Sequence, residues 1–320
     1  MKGIFLNAHT NAIQSGFLVF EQNAKKHLGL VTIISAILGV LFPAVGSLLL
    51  PFVMPMLFIL MVFATLKIDL DRLIRAIKRP GLLITGICIL YIVVPLTMYT
   101  LATLANLTAD ITLGVLFAAL APPIISAPIF VAMIEGDIEF SYVLSVISTL
   151  ASPIVMPLLV LLIAGRTTAI PLKDVVLPIA SVVILPGILV FFLQKLTPNI
   201  ITILKSSEGS ITAIDFLVLI WAIIAANAPK ILSHSNTIYI LFIMAIVQVF
   251  GFFFAVRFLS KQFLSEKLSK ALALSIGIRN AALTAGIGLL FSTTVALPSG
   301  IVVLANVLMI TLASLLRNKL

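Results

Sequence analysis

Residues 121–128 read Ala-Pro-Pro-Ile-Ile-Ser-Ala-Pro, which places three prolines, Pro122, Pro123 and Pro128, within seven positions. Proline has no backbone N–H and its ring collides with the preceding turn, so a helix cannot run straight through this triple. The stretch lies near the middle of an apolar run, 111–134, that is long enough to cross a bilayer. Backbone groups freed at that depth find no partner in lipid and need protein or a watery cavity. The break therefore predicts a polar site at mid-membrane. An ordinary proline kink between packed helices would account for one proline better than for three.

The remainder of the sequence supplies the membrane setting. Of 320 residues, 62% are hydrophobic and 10% charged, with a mean hydropathy of +1.29, whereas soluble domains carry about 25% charged residues. A soluble enzyme is excluded. The single cysteine, Cys88, rules out a disulfide scaffold, and His9, His27 and His234 are scattered without metal-ligand spacing. Runs of span length appear at 28–46, 47–66, 81–105, 111–134, 142–165, 175–194, 211–229, 238–258, 271–291 and 298–316. The first two are divided at Gly46-Ser47 on the strength of Pro43, Pro51 and Pro55, and the last two at Ser292-Thr293-Thr294 and Pro298. The expected fold is all-α and integral to the membrane, with ten transmembrane helices.

Basic residues orient such a chain, because short cytoplasmic loops retain Lys and Arg. With both termini inside, sixteen of the twenty Lys and Arg fall on the inner side, Arg166, Lys173 and Lys230 on the outer side, and Arg279 within a span. This asymmetry gives the net charge of +9 a topological meaning and removes the need for a nucleic-acid partner. Residues 1–27 read as a cytoplasmic or interfacial lead-in, 28–165 as a first five-helix repeat and 175–316 as a second. Five is odd, so the second half starts from the opposite face, the inverted-repeat layout of many secondary transporters. The location expected is a bacterial inner membrane or an organelle equivalent.

The ninth span carries the matching irregularity. Ser275-Ile276-Gly277-Ile278-Arg279-Asn280 buries an arginine about nine residues into a membrane segment, at a cost of about 2.5–3.5 kcal/mol on insertion scales. Arg279 should face a cavity or a partner; donation to backbone carbonyls left free by the broken fourth helix is the structural alternative. Asp215 is the carboxylate inside a span, and it reads either as a proton carrier or as a side chain snorkelling to the interface. Ser141, Ser145, Ser148 and Thr149 recur on one face of the fifth span, where they either pack against the broken helix or coordinate a cation. Asn227, Gln248 and Asn306 read as interhelical hydrogen-bond glue.

Two stretches resemble the bile acid:sodium symporter family, within the ten-helix group that includes arsenite and auxin carriers. One runs from Ala121 to Pro157, with Pro123 and Ser126, Glu135-Gly136-Asp137 and Ser148-Thr149-Leu150-Ala151-Ser152-Pro153; the other is Gly277-Ile278-Arg279-Asn280-Ala281-Ala282-Leu283. The resemblance implies a core domain in which unwound fourth and ninth helices cross, a panel domain of the first, second, sixth and seventh helices, and organic anions bound between them. On that reading the substrate and ion-binding candidates are Pro123, Ser126, Pro128, Ser141, Ser145, Thr149, Ser275, Arg279 and Asn280, with Asp215 as the candidate proton carrier.

The departures from the family pattern concern sodium. Family symporters carry a carboxylate where this chain has Ser275, a glutamine where it has Arg279, and a Ser-Asn pair where it has Ala127 and Pro128. A guanidinium one turn from Ser275 would repel a sodium ion placed beside it, so the expectation is a carrier with no cofactor and without sodium coupling. Arg279 would do the ion's electrostatic work, and cargo would be a small carboxylate-bearing solute. A non-transporting sensor on the same scaffold and a sodium symporter with altered ligands are the alternatives. An intramembrane enzyme lacks the paired carboxylates or Ser-His pair it would need. Oligomeric state is not readable from the sequence.

Overall fold

The computed structural model describes residues 28–77, 79–165, 172–233 and 236–315. The lead-in 1–27, Lys78, residues 166–171 with Arg166, His234 and the basic residues Arg317 and Lys319 lie outside the described residues. Among the described residues all regular structure is helical, apart from one isolated antiparallel bridge between Pro123 and Arg279.

Among the described residues, six helices are long and apolar enough to cross a membrane: Pro43–Thr65, Pro80–Leu104, Ile138–Ala164, Glu208–Leu232, Asn236–Ser260 and Thr293–Ala313. Shorter apolar helices cover Leu30–Leu41, Ala109–Leu120 and Ala180–Leu196. The helix Ile138–Ala164 shows what the surroundings must be. Leu150, Ile154, Leu158 and Leu162 are exposed at steps of four, while Ser141, Ser145, Ser148, Thr149 and Ser152 on the opposite face are buried. Hydroxyls inside and branched aliphatics outside suit a hydrocarbon solvent, the reverse of a water-soluble helix.

Two boundaries differ from the sequence reading, each for a local reason. The first helix stops at Leu41, and a new one, Pro43–Ser47, begins beyond Phe42, so the break falls before Pro43 rather than at Gly46-Ser47. Proline at a first helical position costs nothing, whereas inside a helix it removes a bond. Gly39 and Gly46, one on each side of that break, let the segment close onto Glu208–Leu232: a Cβ on Gly39 would sit 2.7 Å from Ile224, and one on Gly46 2.4 Å from Ala225. The last helix begins at Thr293, five residues before the expected start, because Ser292 Oγ accepts the Val295 N–H at 3.2 Å and caps it, leaving Pro298 inside the helix. Two short helices, Leu70–Ala76 and Pro198–Ser206, occupy stretches expected to be loops.

The helices Pro80–Leu104 and Asn236–Ser260, which fall on the third and eighth of the spans read from the sequence, each contain a single π turn, Ile89–Val93 and Val247–Gly251, near mid-length. Such turns leave a carbonyl without its helical donor and often mark functional positions.

Candidate functional site

The fourth span leaves the helix at Ala121 and resumes as Ala127–Met133. The ninth runs as Glu266–Gly277, is extended at Ile278, and resumes as Ala281–Leu289. The halves pack crosswise, Ala109–Leu120 against Ala281–Leu289 and Ala127–Met133 against Glu266–Gly277. At the crossing the two extended stretches pair, with the Asn280 N–H donating to the Pro122 carbonyl at 2.7 Å.

The prolines decide which carbonyls are left over. In an α-helix each N–H bonds the carbonyl four residues back, so Ala118 and Ala119 would need donors from positions 122 and 123, both proline. The Ala118 carbonyl accepts instead from Gln248 Nε2 at 2.9 Å, and the Ala119 carbonyl from Arg279 Nη1 at 3.2 Å. Arg279 Nη1 also donates to Ala121 O at 2.9 Å, just past the helix end. Leu90 loses its donor to the π turn: the Val94 N–H bonds Ile89 and the next residue is Pro95, so the Leu90 carbonyl accepts from Arg279 Nη1 at 3.4 Å. Ile276 loses its donor when Asn280 turns to Pro122, and Arg279 Nε fills the gap at 2.7 Å.

Arg279 is thus wholly buried inside a cage of four carbonyl oxygens contributed by the third, fourth and ninth helices. Nη2 has no hydrogen-bond partner. Its main chain is held as firmly as its side chain: Asn306 Oδ1 accepts the Arg279 N–H at 3.4 Å and Asn306 Nδ2 donates to the Arg279 carbonyl at 2.8 Å. Asn306 and Gln248, expected as glue between helices, bond the backbone that the two interruptions expose.

The other candidates divide. Ser275 and Ser141 are both buried and their hydroxyls meet at 2.8 Å, joining the ninth helix to the fifth. One turn further along the fifth helix at Ser145, and two turns further at Ser148 and Thr149, the hydroxyls are buried and make no hydrogen bond. Asn280 caps the Ala281–Leu289 half-helix, its Oδ1 accepting the Leu283 N–H at 3.3 Å. Pro123 forms the bridge to Arg279, while Ser126 and Pro128 start the Ala127–Met133 half-helix, Ser126 without a side-chain cap bond. Asp215 stands apart on the seventh helix, 2% exposed, with neither carboxylate oxygen hydrogen-bonded; it does not snorkel. Asn227 Nδ2 donates to Ile223 O at 3.0 Å and Thr293 O at 2.9 Å, the linking role expected of it.

Leu90 and Tyr91 belong to the site and were not singled out by the sequence. Tyr91 Oη donates to the Ser148 carbonyl at 2.7 Å, so consecutive residues of one π turn hold Ser148 and Arg279. The signal was Pro95, a proline inside a span whose lost donor pointed four or five residues back.

Comparison with known proteins gives consistent results. The family described as "Sodium Bile acid symporter family" matches residues 54–234. The "Uncharacterized sodium-dependent transporter YocS" of Bacillus subtilis is 26% identical over 285 residues, covering 87% of this chain and 86% of the relative. The "Probable sodium/metabolite cotransporter BASS1, chloroplastic" of Oryza sativa subsp. japonica is 24% identical over 220 residues, covering 68% of this chain and 53% of the relative. The "Probable sodium/metabolite cotransporter BASS5, chloroplastic" of Arabidopsis thaliana is 24% identical over 257 residues, 77% of this chain and 63% of the relative.

Proposed function

The chain belongs to the sodium bile acid symporter family, and from that premise we propose that it is a secondary carrier of a small organic anion in which the Arg279 guanidinium stands where a bound cation would otherwise be needed. It is a membrane transport protein and not an enzyme. The single observation that carries the finer reading is the carbonyl cage. Four backbone oxygens freed by proline, by a π turn and by the crossing itself converge on one positive charge. Interrupted helices of transporters hold coupling cations with unwound backbone carbonyls of this kind.

Sodium does not fit beside that charge. The cage oxygens are already spent on the guanidinium, and the nearby Ser141, Ser145 and Ser275 offer neutral hydroxyls, two of them bonded to each other. A sodium ion there would meet a buried positive charge with no carboxylate to offset it.

The architecture belonging to this reading is ten helices in two inverted repeats, 28–165 and 175–316, with both termini cytoplasmic. Its support is the pairing of irregularities: the third and eighth helices each carry one π turn, and the fourth and ninth spans are each interrupted. The core would hold the crossing, the panel would include the seventh helix with Asp215, and cargo would pass between them by alternating access.

Uptake of a panel of organic acids into proteoliposomes, with a sodium gradient, with a proton gradient and with neither, tests the reading. Transport without sodium, reduced at least tenfold in Arg279→Gln, is the expected result. Sodium-dependent uptake, as the relatives' printed names describe for those proteins, would replace it with a symporter using altered ligands. Saturable binding with no flux would instead identify a sensor.

A further inference from the structure

We propose that Asn227 and Lys230 of the seventh helix, with Thr293 and Thr294 of the last, form a latch that holds the outer end of the cargo path shut and parts to admit solute. The proposal rests on the carrier reading for what passes through, while the parting itself is measurable without transport.

The second and seventh helices, Pro43–Thr65 and Glu208–Leu232, are joined to the crossing and to the last helix behind it at one end. Contacts between the seventh and last helices run antiparallel. A Cβ on Gly300 would lie 2.9 Å from Ile223 Cγ2, Asn227 Nδ2 donates to the Thr293 carbonyl at 2.9 Å, and Lys230 Nζ donates to Thr294 Oγ1. Gly286, in the half-helix Ala281–Leu289 past the break, would place a Cβ 2.4 Å from Leu57 of the second helix. All four approaches lie on the Lys230 side of the crossing. The half-helices on the other side, Ala127–Met133 and Glu266–Gly277, pack on each other and on the fifth helix. At that end the second and seventh helices are tied to one another, by the ion pair Lys67–Glu208.

The joint is dry but weakly bonded. Leu57, Ile223 and Asn227 are wholly buried, which closes this end to water. Lys230 lies in the last turn of its own helix, where an ammonium is favoured, yet it reaches into the first turn of the last helix, where the dipole opposes it. Its acceptor is a neutral hydroxyl, and Asp110, the carboxylate across from that helix start, accepts from Ser292 Oγ at 3.4 Å. Asn227 Oδ1 is buried with no partner, a cost that falls away once water reaches it. Gly286 and Gly300 present no side chain to interlock with Leu57 and Ile223, so the two surfaces can separate without changing rotamers. A joint meant only for packing would gain from filling those glycines and pairing that amide; this one is made of contacts that water can replace.

The test uses the full chain in proteoliposomes with Cys88→Ser, which removes the single cysteine. Ile223→Cys then places one thiol inside the joint, and a membrane-impermeant thiosulfonate applied from the Lys230 side reads its opening. Labelling is expected, and it should quicken about fivefold in Lys230→Met or Thr294→Val, the population shift of one net hydrogen bond. Lys67→Met, at the opposite end, should leave the rate unchanged. Lys230 is exposed, so its variant should keep the thermal midpoint of the parent. Ile223→Cys/Gly300→Cys brings two thiols within disulfide reach; oxidation should abolish organic-acid uptake and a reductant should restore it. A thiol unlabelled in every variant, equal rates with and without the Lys230–Thr294 bond, or uptake undiminished by the disulfide would overturn the proposal. Labelling as expected in a protein that carries no organic acid would support the latch and overturn the carrier reading, whereas undiminished uptake across the disulfide would do the reverse.

Discussion

Asn306 grips the main chain of Arg279 from both sides, accepting its N–H at 3.4 Å and donating to its carbonyl at 2.8 Å. A side-chain amide here does what a neighbouring strand would do for an extended residue, so the short non-helical stretch 278–280 can persist inside a membrane protein. Asn306→Leu removes both bonds; the Arg279 carbonyl keeps the Ala281 N–H at 2.8 Å, and the buried Arg279 N–H is left unpaired. An unpaired buried donor costs about 1–3 kcal/mol, and thermal denaturation of the purified variant should show a clear loss of stability. A midpoint equal to wild type would mean that the backbone of Arg279 is held by something else.

The prolines of the fourth span are expected to matter for activity more than for stability. Pro122→Ala/Pro123→Ala returns N–H donors to the carbonyls of Ala118 and Ala119, which now serve Gln248 and Arg279. The restored donors compete with Gln248 and Arg279 for those carbonyls, so the helix can extend only by dismantling the cage, and transport should fall at least tenfold in a protein that still folds. Retained transport at the wild-type rate would argue that the break is packing alone.

Close backbone approach supplies a control pair. A Cβ on Gly114 would lie 2.3 Å from the Val295 carbonyl oxygen and 2.9 Å from the ring of Pro298, whereas one on Gly251 meets nothing nearer than 3.5 Å. Overpacking of this kind costs about 1–3 kcal/mol or more. Gly114→Ala should therefore lower the thermal midpoint and Gly251→Ala should leave it nearly unchanged; the reverse order would contradict the packing of the fourth span on the last helix.

Asp215 is buried with two unbonded carboxylate oxygens. The nearly isosteric substitution Asp215→Asn removes a group that is costly to bury charged, so stability should hold or increase. If this group carries protons for the transporter, uptake in a proton gradient should fall to the gradient-free rate in the variant. Unaltered stimulation by the gradient would remove Asp215 from coupling.

The two interruptions were legible because each is announced by chemistry that cannot be hidden: a proline triple has no donors, and Arg279 cannot face lipid. Their consequences were less legible. Which carbonyls the breaks would free follows from Pro122 and Pro123 by counting four residues back, but that they converge on Arg279 depends on how distant helices cross. The π turn at Leu90 depends on packing that no local pattern near Pro95 specifies. The division expected at Gly46-Ser47 from Pro43, Pro51 and Pro55 falls earlier, at Phe42, because Pro43 starts a helix in which Gly46 is a contact residue against Ala225.

The caged guanidinium also bears on energetics. In a carrier working as proposed, a tethered charge returns with the protein at the end of each cycle, so it can attract cargo but perform no net work on it. Such a carrier equilibrates its solute. A monovalent anion crossing alone also moves one negative charge, and each 100 mV of inside-negative potential biases that movement outward by about 2.3 kcal/mol, roughly fiftyfold. Where a carrier driven by a sodium gradient would accumulate its solute, one with its cation built in would vent it.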